Sequence, residues 1–186
     1  MKNVSFIKGD ASEIDFPQKA DYIICEMLDT ALIDEEQIPV LNIINKYLKK
    51  DGKIIPSGIL NGIEPVNSKI DHICYHENQS PQHQILGPLN IYSNYEFGKY
   101  IPPEANFKLK LNITKDGLFT GIKITTFTLI TPEIVCGPTP MMNPPLIIPT
   151  EKLRVKNGDT INLGLNYQMG GGLDTIKTRV IGISQK

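Results

Sequence analysis

The chain has 186 residues and a mass of 20.7 kDa, room for one ordinary domain or two small ones with a core of useful size. Hydrophobic residues make up 40% and charged residues 21%, close to soluble globular averages, which excludes disordered, collagen-like and coiled-coil classes. With 19 basic and 20 acidic side chains the formal charge is -1, so global charge attracts neither nucleic acid nor anionic lipid and no nucleic-acid partner is expected.

The first predicted element is a strand from Val4 to Lys8, β-branched and aromatic, stopped by the turn signal Gly9-Asp10. Tyr22-Ile23-Ile24-Cys25 is a short apolar run without alternation, as expected of a parallel strand buried on both faces, and it ends on Glu26. Cys25, Cys74 and Cys136 are odd in number and widely spaced, so they are expected to be reduced. Leu41, Ile44 and Leu48, flanked by Val40, Ile43 and Tyr47, form the apolar stripe of a helix expected from about Ile38 to Lys50. Pro39 fits its first turn, Lys46, Lys49 and Lys50 suit its C-terminal end, and Asp51-Gly52 supplies the stop before a strand at Lys53–Ile55.

Beyond Pro56 the helical period gives way to alternating strands, which places a domain boundary near residue 60: residues 1–60 as part of an α/β unit and 61–186 as an antiparallel β-barrel or sandwich. Phe107 to Ile113 alternate, Asp116-Gly117 turns, and a change of parity near Thr125-Thr126 predicts a bulge. Asn157-Gly158 predicts a hairpin between the Leu153–Val155 and Ile161–Tyr167 segments, and Gly170-Gly171-Gly172 a hairpin leading to a strand at Thr175–Ile183. Residues 66–106 show no period. No apolar run approaches the roughly 18 residues of a membrane-spanning helix, so a cytoplasmic protein is expected.

In open α/β sheets ligands bind beyond the carboxyl ends of the strands, where Asp10 and Glu26 fall. Asp34-Glu35-Glu36 precedes the helix and serves equally as dipole-compensating acids or as a second carboxylate returned to the same crevice. Two converging glutamates suit a guanidinium, whose planar fork donates pairwise to carboxylates. His72, His76 and His83 gather near Asp71, Cys74 and Glu77, but their spacing matches no zinc pattern and no metal is assigned.

Ile7-Lys8-Gly9, the run Glu13–Pro17 and Ala20–Glu26 resemble the protein arginine methyltransferases. The nine-residue interval between that family's two clamping glutamates falls on Glu26 and Glu35, Pro39 matches a proline common there, and Leu48–Pro56 resembles the family's next strand entry. The resemblance implies a partial Rossmann-like methyltransferase sheet followed by a β-barrel, S-adenosylmethionine as cofactor, and Glu26 and Glu35 as clamps on a protein or small-molecule guanidinium substrate. It also places Asp10 and Ala11, with Ser12 beside them, against adenine.

Three departures qualify it. Met27-Leu28-Asp29 stands where the family has tryptophan-methionine-glycine, and Met141–Pro145 stands where it has a threonine-histidine-tryptophan loop. The family's glycine-rich first motif and ribose-binding acid belong upstream of Val4. The expectation is therefore a truncated or split methyltransferase lacking half of the cofactor site, binding S-adenosylmethionine weakly or not at all on its own, and either self-associating or joined by an upstream half. The alternative is a non-catalytic substrate- or partner-binding module derived from such an enzyme.

Overall fold

The computed structural model describes residues 3–76, 81–139 and 142–185. Among the described residues the chain forms twelve strands and one α-helix. β1 (Ala20–Ile24) and β2 (Leu48–Ile55) make a two-stranded parallel sheet, joined by α1 (Gln37–Ile44) and a 3-10 turn at Asn45–Tyr47. The helix is six residues shorter at its end than the apolar stripe predicts. Leu48, the last residue of the stripe, pairs with Ala20, so strand pairing captures the segment that would have been the final helical turn. Asp51-Gly52 accordingly lies within β2, in a bulge where β2 advances from Leu48 to Lys53 while β1 advances from Ala20 to Tyr22. Gly52 is needed there because a Cβ would stand 3.0 Å from the carbonyl oxygen of Asp21. Lys46 and Lys49 are committed to ion pairs with Asp15 and Asp21 rather than to a helix end.

Residues 4–8 are not a strand. They pair with nothing and are exposed, Phe6 at 92%. β1 and β2 each leave an outer edge open, yet the segment does not add to either: apolar composition makes a segment fit for a sheet without selecting a partner strand. β1 is likewise not buried on both faces: α1 covers Cys25 on one side, while Ile24 on the other is 76% exposed.

The remainder is two open antiparallel sheets rather than a closed barrel. The first has seven strands: β3 (Gly58–Asn67), β4 (Cys74–Tyr75), β5 (Gln84–Ile85), β6 (Asn90–Glu96), β8 (Gly117–Thr131), β9 (Ile134–Cys136) and β10 (Leu146–Val155). The second is β7 (Glu104–Asn112), β11 (Thr160–Gln168) and β12 (Lys177–Ser184), with β11 in the centre. Their inner faces share one core that includes Phe119, Ile122, Ile124, Leu111, Leu163 and Leu165.

Asn157-Gly158 is not a hairpin, since β10 and β11 lie in different sheets. The turn carries the chain across the core, and it is tied to the other crossover, between β7 and β8, by Gly158 N–H to the Ile113 carbonyl at 2.9 Å and Asn157 N–H to Asp116 Oδ1 at 2.7 Å. Turn chemistry fixes a reversal but not the strand's partner. The bulge predicted at Thr125-Thr126 is also absent, because β8 pairs with β3 without interruption from Gly121 to Leu129. Ile122, Ile124, Thr126 and Thr128 all point inward, so the parity holds and only the residue type changes from isoleucine to threonine. Those threonines receive the backbone of a loop.

Candidate functional site

That loop is Leu28–Ile33, between the two glutamates. Leu28, Ala31, Leu32 and Ile33 belong to the core of the β half, not to the small cluster of Cys25, Val40, Leu41, Ile44 and Ile54 beneath the parallel strands. Ala31 and Leu32 both adopt φ 62°, a left-handed conformation that costs a residue with a Cβ roughly 1–2 kcal/mol. It persists because surrounding groups take up every turn of the backbone. Ala31 N–H donates to Thr126 Oγ1 at 2.8 Å, the Leu32 carbonyl accepts from Gly170 N–H at 3.0 Å, and the Ile33 carbonyl accepts from Gly172 N–H at 2.9 Å. The Gly170–Gly172 segment thus joins β11 to the 3-10 turn Leu173–Thr175 before β12 and at the same time clasps the loop. Gly170 has φ +71° and packs against Pro39.

Thr126 is held in turn. Its hydroxyl donates to Asn61 Oδ1 at 2.6 Å, and Asn61 Nδ2 donates to Ser93 Oγ at 2.9 Å. Asn143 donates to the Thr126 carbonyl at 3.0 Å and to Thr128 Oγ1 at 3.1 Å, while Thr30 donates to the Pro144 carbonyl at 2.6 Å. Asn143 and Pro144 therefore brace the loop from the segment that aligns with the family's histidine-bearing one; Met141 lies outside the described residues. Buried polar groups of this kind are tolerated because each finds a partner.

Asp29 organises the end of the loop that leads to Glu35. Only 5% exposed, its carboxylate accepts from Ile33 N–H at 3.1 Å, Asp34 N–H at 2.9 Å and Glu35 N–H at 3.4 Å, and from the Tyr75 hydroxyl at 3.1 Å. Burial raises its pKa to about 6 against these four donors, which all favour the charged form. The Tyr75 hydroxyl is pushed well above its ordinary value, first by burial and then by the charges of Asp29, Asp34 and Glu35, which places it in the field of this acidic turn.

Gln37 does the corresponding work for Glu26. Fully buried, it accepts at Oε1 from Met27 N–H at 2.9 Å and from the Cys25 thiol at 3.4 Å, and donates from Nε2 to the Cys25 carbonyl at 2.9 Å. It grips the backbone on both sides of Glu26 from a position two residues after Glu35, so one side chain ties the segments that carry both glutamates. Both glutamate side chains are exposed. Burial raises the Cys25 thiol, with the Glu26 charge adding to it.

Beside Glu26 opens a cavity of about 430 Å³, lined by Ala11, Tyr22, Cys25, Met27, Val40 and Tyr47 among others. It brings together two of the five expected site residues, Ala11 and Glu26. Asp10 is engaged locally: its Oδ1 accepts from Ser12 N–H at 2.8 Å and Ser12 Oγ at 2.6 Å, and these bonds hold the exposed carboxyl below its usual range. Its carbonyl accepts from Glu13 and Ile14, so Asp10 nucleates a turn that sets Ala11 at the cavity wall.

The histidines separate. His72 pairs with Asp71 at 3.1 Å on the surface, whereas His76 and His83 meet edge to face at 4.6 Å. Burial, followed by Lys123 and His76, lowers His83 to about 4. Among the described residues no group of three or more potential metal ligands forms, and Glu77 lies outside them.

The residues that the sequence did not single out are the braces. Asp29 stood out only as a departure from a glycine, Gln37 as an ordinary helix-start residue, and Tyr75 fell in a stretch with no period. A lone acid four residues before Ile33 in an otherwise apolar run was the available signal, because such an acid must find donors if buried.

The architecture is that of a methyltransferase-like fold. It is similar to the PRMT1 enzyme–prozyme heterotetrameric complex of Trypanosoma brucei, solved with AdoHcy, at a TM-score of 0.68 and 13% sequence identity. The match covers 87% of this chain and 62% of that one, so the chain spans less than two thirds of its length. No protein-family model matches the sequence. An uncharacterised protein of Methanothermobacter thermautotrophicus is 46% identical over 181 residues, 97% of this chain and 70% of that protein. A second, of Methanocaldococcus jannaschii, is 39% identical over 180 residues, 96% of this chain and 68% of that protein. The chain belongs to the same family as these two proteins. Among the described residues no helix is long and apolar enough to cross a membrane.

Proposed function

We propose that this chain is the substrate-holding part of an S-adenosylmethionine-dependent methyltransferase related to the protein arginine methyltransferases, with Glu26 and Glu35 as the clamp on a guanidinium. The observation that carries this reading is the double anchoring of the loop between them: Gln37 fixes the backbone around Glu26 and Asp29 fixes that of Glu35. Such rigidity is what a bidentate clamp requires, since two carboxylates attract a guanidinium strongly only when their separation is held. Their exposed side chains leave them free to take an arginine delivered from solvent.

The cavity beside Glu26 fits part of the cofactor. Its volume suits a ligand of that size and Ala11 offers an apolar wall for adenine, with Asp10 and Ser12 in the adjoining turn. The cavity lining includes no glycine-rich turn and no second acid for a ribose. When bound, S-adenosylmethionine supplies the methyl group; the chain's own residues neutralise and orient the guanidinium, one glutamate accepting the proton it loses. The remaining polar contacts come from a complementary upstream half or from a partner chain.

Calorimetry with S-adenosylmethionine tests the division of the site: binding to this chain alone is expected to be weak or undetectable, and micromolar affinity contradicts it. Arginine-peptide methylation by the longer Methanothermobacter relative tests the chemistry. Substituting glutamine at the position aligned with Glu26 is expected to abolish turnover while cofactor affinity changes little, and equal losses would make Glu26 a cofactor residue. A second reading, a non-catalytic binding module, is favoured by one observation, that Asp10 already spends its carboxylate on Ser12.

A further inference from the structure

The outward face of the three-stranded sheet has no part in the site above. Its core side is set by Leu109, Leu111, Leu163, Leu165 and Val180, so period two sends Lys108 and Lys110 of β7, Asn162 and Asn166 of β11, and Lys177 and Arg179 of β12 to the other side. The register aligns Lys108, Gly164 and Arg179 in one row across the sheet and Asn106, Asn166 and Lys177 in the next. All four cations are exposed, and among the described residues none of them is in an ion pair. The acids nearby stand at the rim: Glu104 at the end beside Gln168, and Glu151 at the β12 edge, where it accepts from Val180 N–H at 3.3 Å. At the centre Gly164 leaves a shallow cavity of about 450 Å³ whose rim is cationic and polar at Lys108, Asn166, Lys177 and Arg179 and apolar at Phe107 and Ile181.

We propose that this face docks duplex nucleic acid through its phosphate backbone. Lysine, arginine and asparagine side chains are the groups that hold phosphate oxygens. Among the described residues the outward positions carry no aromatic side chain, and Phe107, which borders the cavity, turns its ring inward against Tyr92 and Tyr167, so the face offers unpaired bases nothing to stack on, and a duplex, whose bases are already paired and turned inward, suits it better than a single strand. The net charge of -1 hides the patch because the acids are elsewhere. Four cations released against four phosphates predict a log–log salt slope of about -3.6.

The test is fluorescence anisotropy of the full chain with a labelled 20-base-pair duplex. Binding is expected at 50 mM salt and to weaken about 150-fold by 200 mM. Gly164→Asp places an acid in the centre of the patch, where a Cβ meets its nearest neighbours at 3.7 and 3.8 Å, so the variant is expected to fold and to lose at least tenfold in affinity. Lys108→Ala with Arg179→Ala, both at exposed positions, is expected to do the same, and Lys69→Glu, in the exposed bend that follows β3, to change affinity less than twofold. The proposal is overturned by no binding at 50 mM salt, by a single strand or a poly-glutamate of matched charge binding as tightly as the duplex, or by Lys69→Glu weakening binding as much as the patch variants. None of these outcomes bears on the clamp.

Discussion

The two regions of this molecule solve the burial problem very differently. Among the described residues the β half closes 24 buried residues into one core, whereas the parallel strands and α1 share a cluster of five and leave Phe6, Tyr22 and Ile24 in solvent. The loop that bears the candidate clamp sits between them in sequence but belongs energetically to the β half. The loop between Glu26 and Glu35 is held from Thr126, Tyr75, Asn143 and Gly170, all beyond residue 60, while the cavity beside Glu26 rests on the thinly covered strands, so under the proposed function substrate geometry and cofactor binding would have separate structural sources.

The largest effect is expected from breaking the bond between the regions. Thr126→Val keeps the shape but leaves Ala31 N–H and Asn61 Oδ1 buried without partners, at a cost of about 3 kcal/mol in global stability. Denaturant unfolding measures it, and a cost below about 1 kcal/mol would mean that the loop is not held by β8. Ile44→Ala, in the small cluster, is expected instead to lower amide-exchange protection in residues 20–55 while β8 stays protected.

Next comes Asp29. Its folded pKa of about 6 lies above the ordinary aspartate value of about 3.9, so its contribution is fully present below pH 4 and is lost as pH rises through 6, by about 3 kcal/mol. Exposed carboxylates held low by hydrogen bonds, such as Asp15 and Asp71, work in the opposite sense, so the informative quantity is a difference. Between pH 4 and pH 7 the wild type is expected to lose more stability, or gain less, than Asp29→Asn. Parallel pH profiles would show that Asp29 does not titrate in this range.

Gln37→Leu is expected to cost about 2 kcal/mol, from the unpartnered Met27 N–H and Cys25 carbonyl, and to speed exchange of the Met27 amide specifically. The smallest change in stability, within about 0.5 kcal/mol, is expected for Ile24→Ser, because the side chain is already exposed. Its visible effect is on association: light scattering should show less self-association than the wild type, since a bare apolar strand invites a second copy.

How far the fold could be read in advance follows the same line. Strands with a clear period and two definite faces, such as β7 and β11, were legible because alternation reports one buried side. Residues 4–8 and the end of the helix were not legible because composition cannot say whether a segment will add to an open edge, and Leu48 fits a helix stripe and a strand equally. The crossovers at Asp116 and Asn157 were legible as turns and not as connections between sheets. In the candidate site, Glu26 and Glu35 were named by the family resemblance, whereas the residues that brace the loop between them were not legible: Asp29, Tyr75 and Asn143 are far apart in sequence and meet only through the β half.

The central claim, that Glu26 and Glu35 act together on a guanidinium, is tested most directly by titrating the chain with a Gly-Arg-Gly peptide while following backbone amides by NMR. The amides of residues 26 and 35 are expected to shift together with one dissociation constant. Glu26→Gln or Glu35→Gln should abolish both responses, and Gly-Lys-Gly should bind at least tenfold more weakly. Equal binding of the lysine peptide, or a response at one glutamate that survives loss of the other, would contradict the clamp.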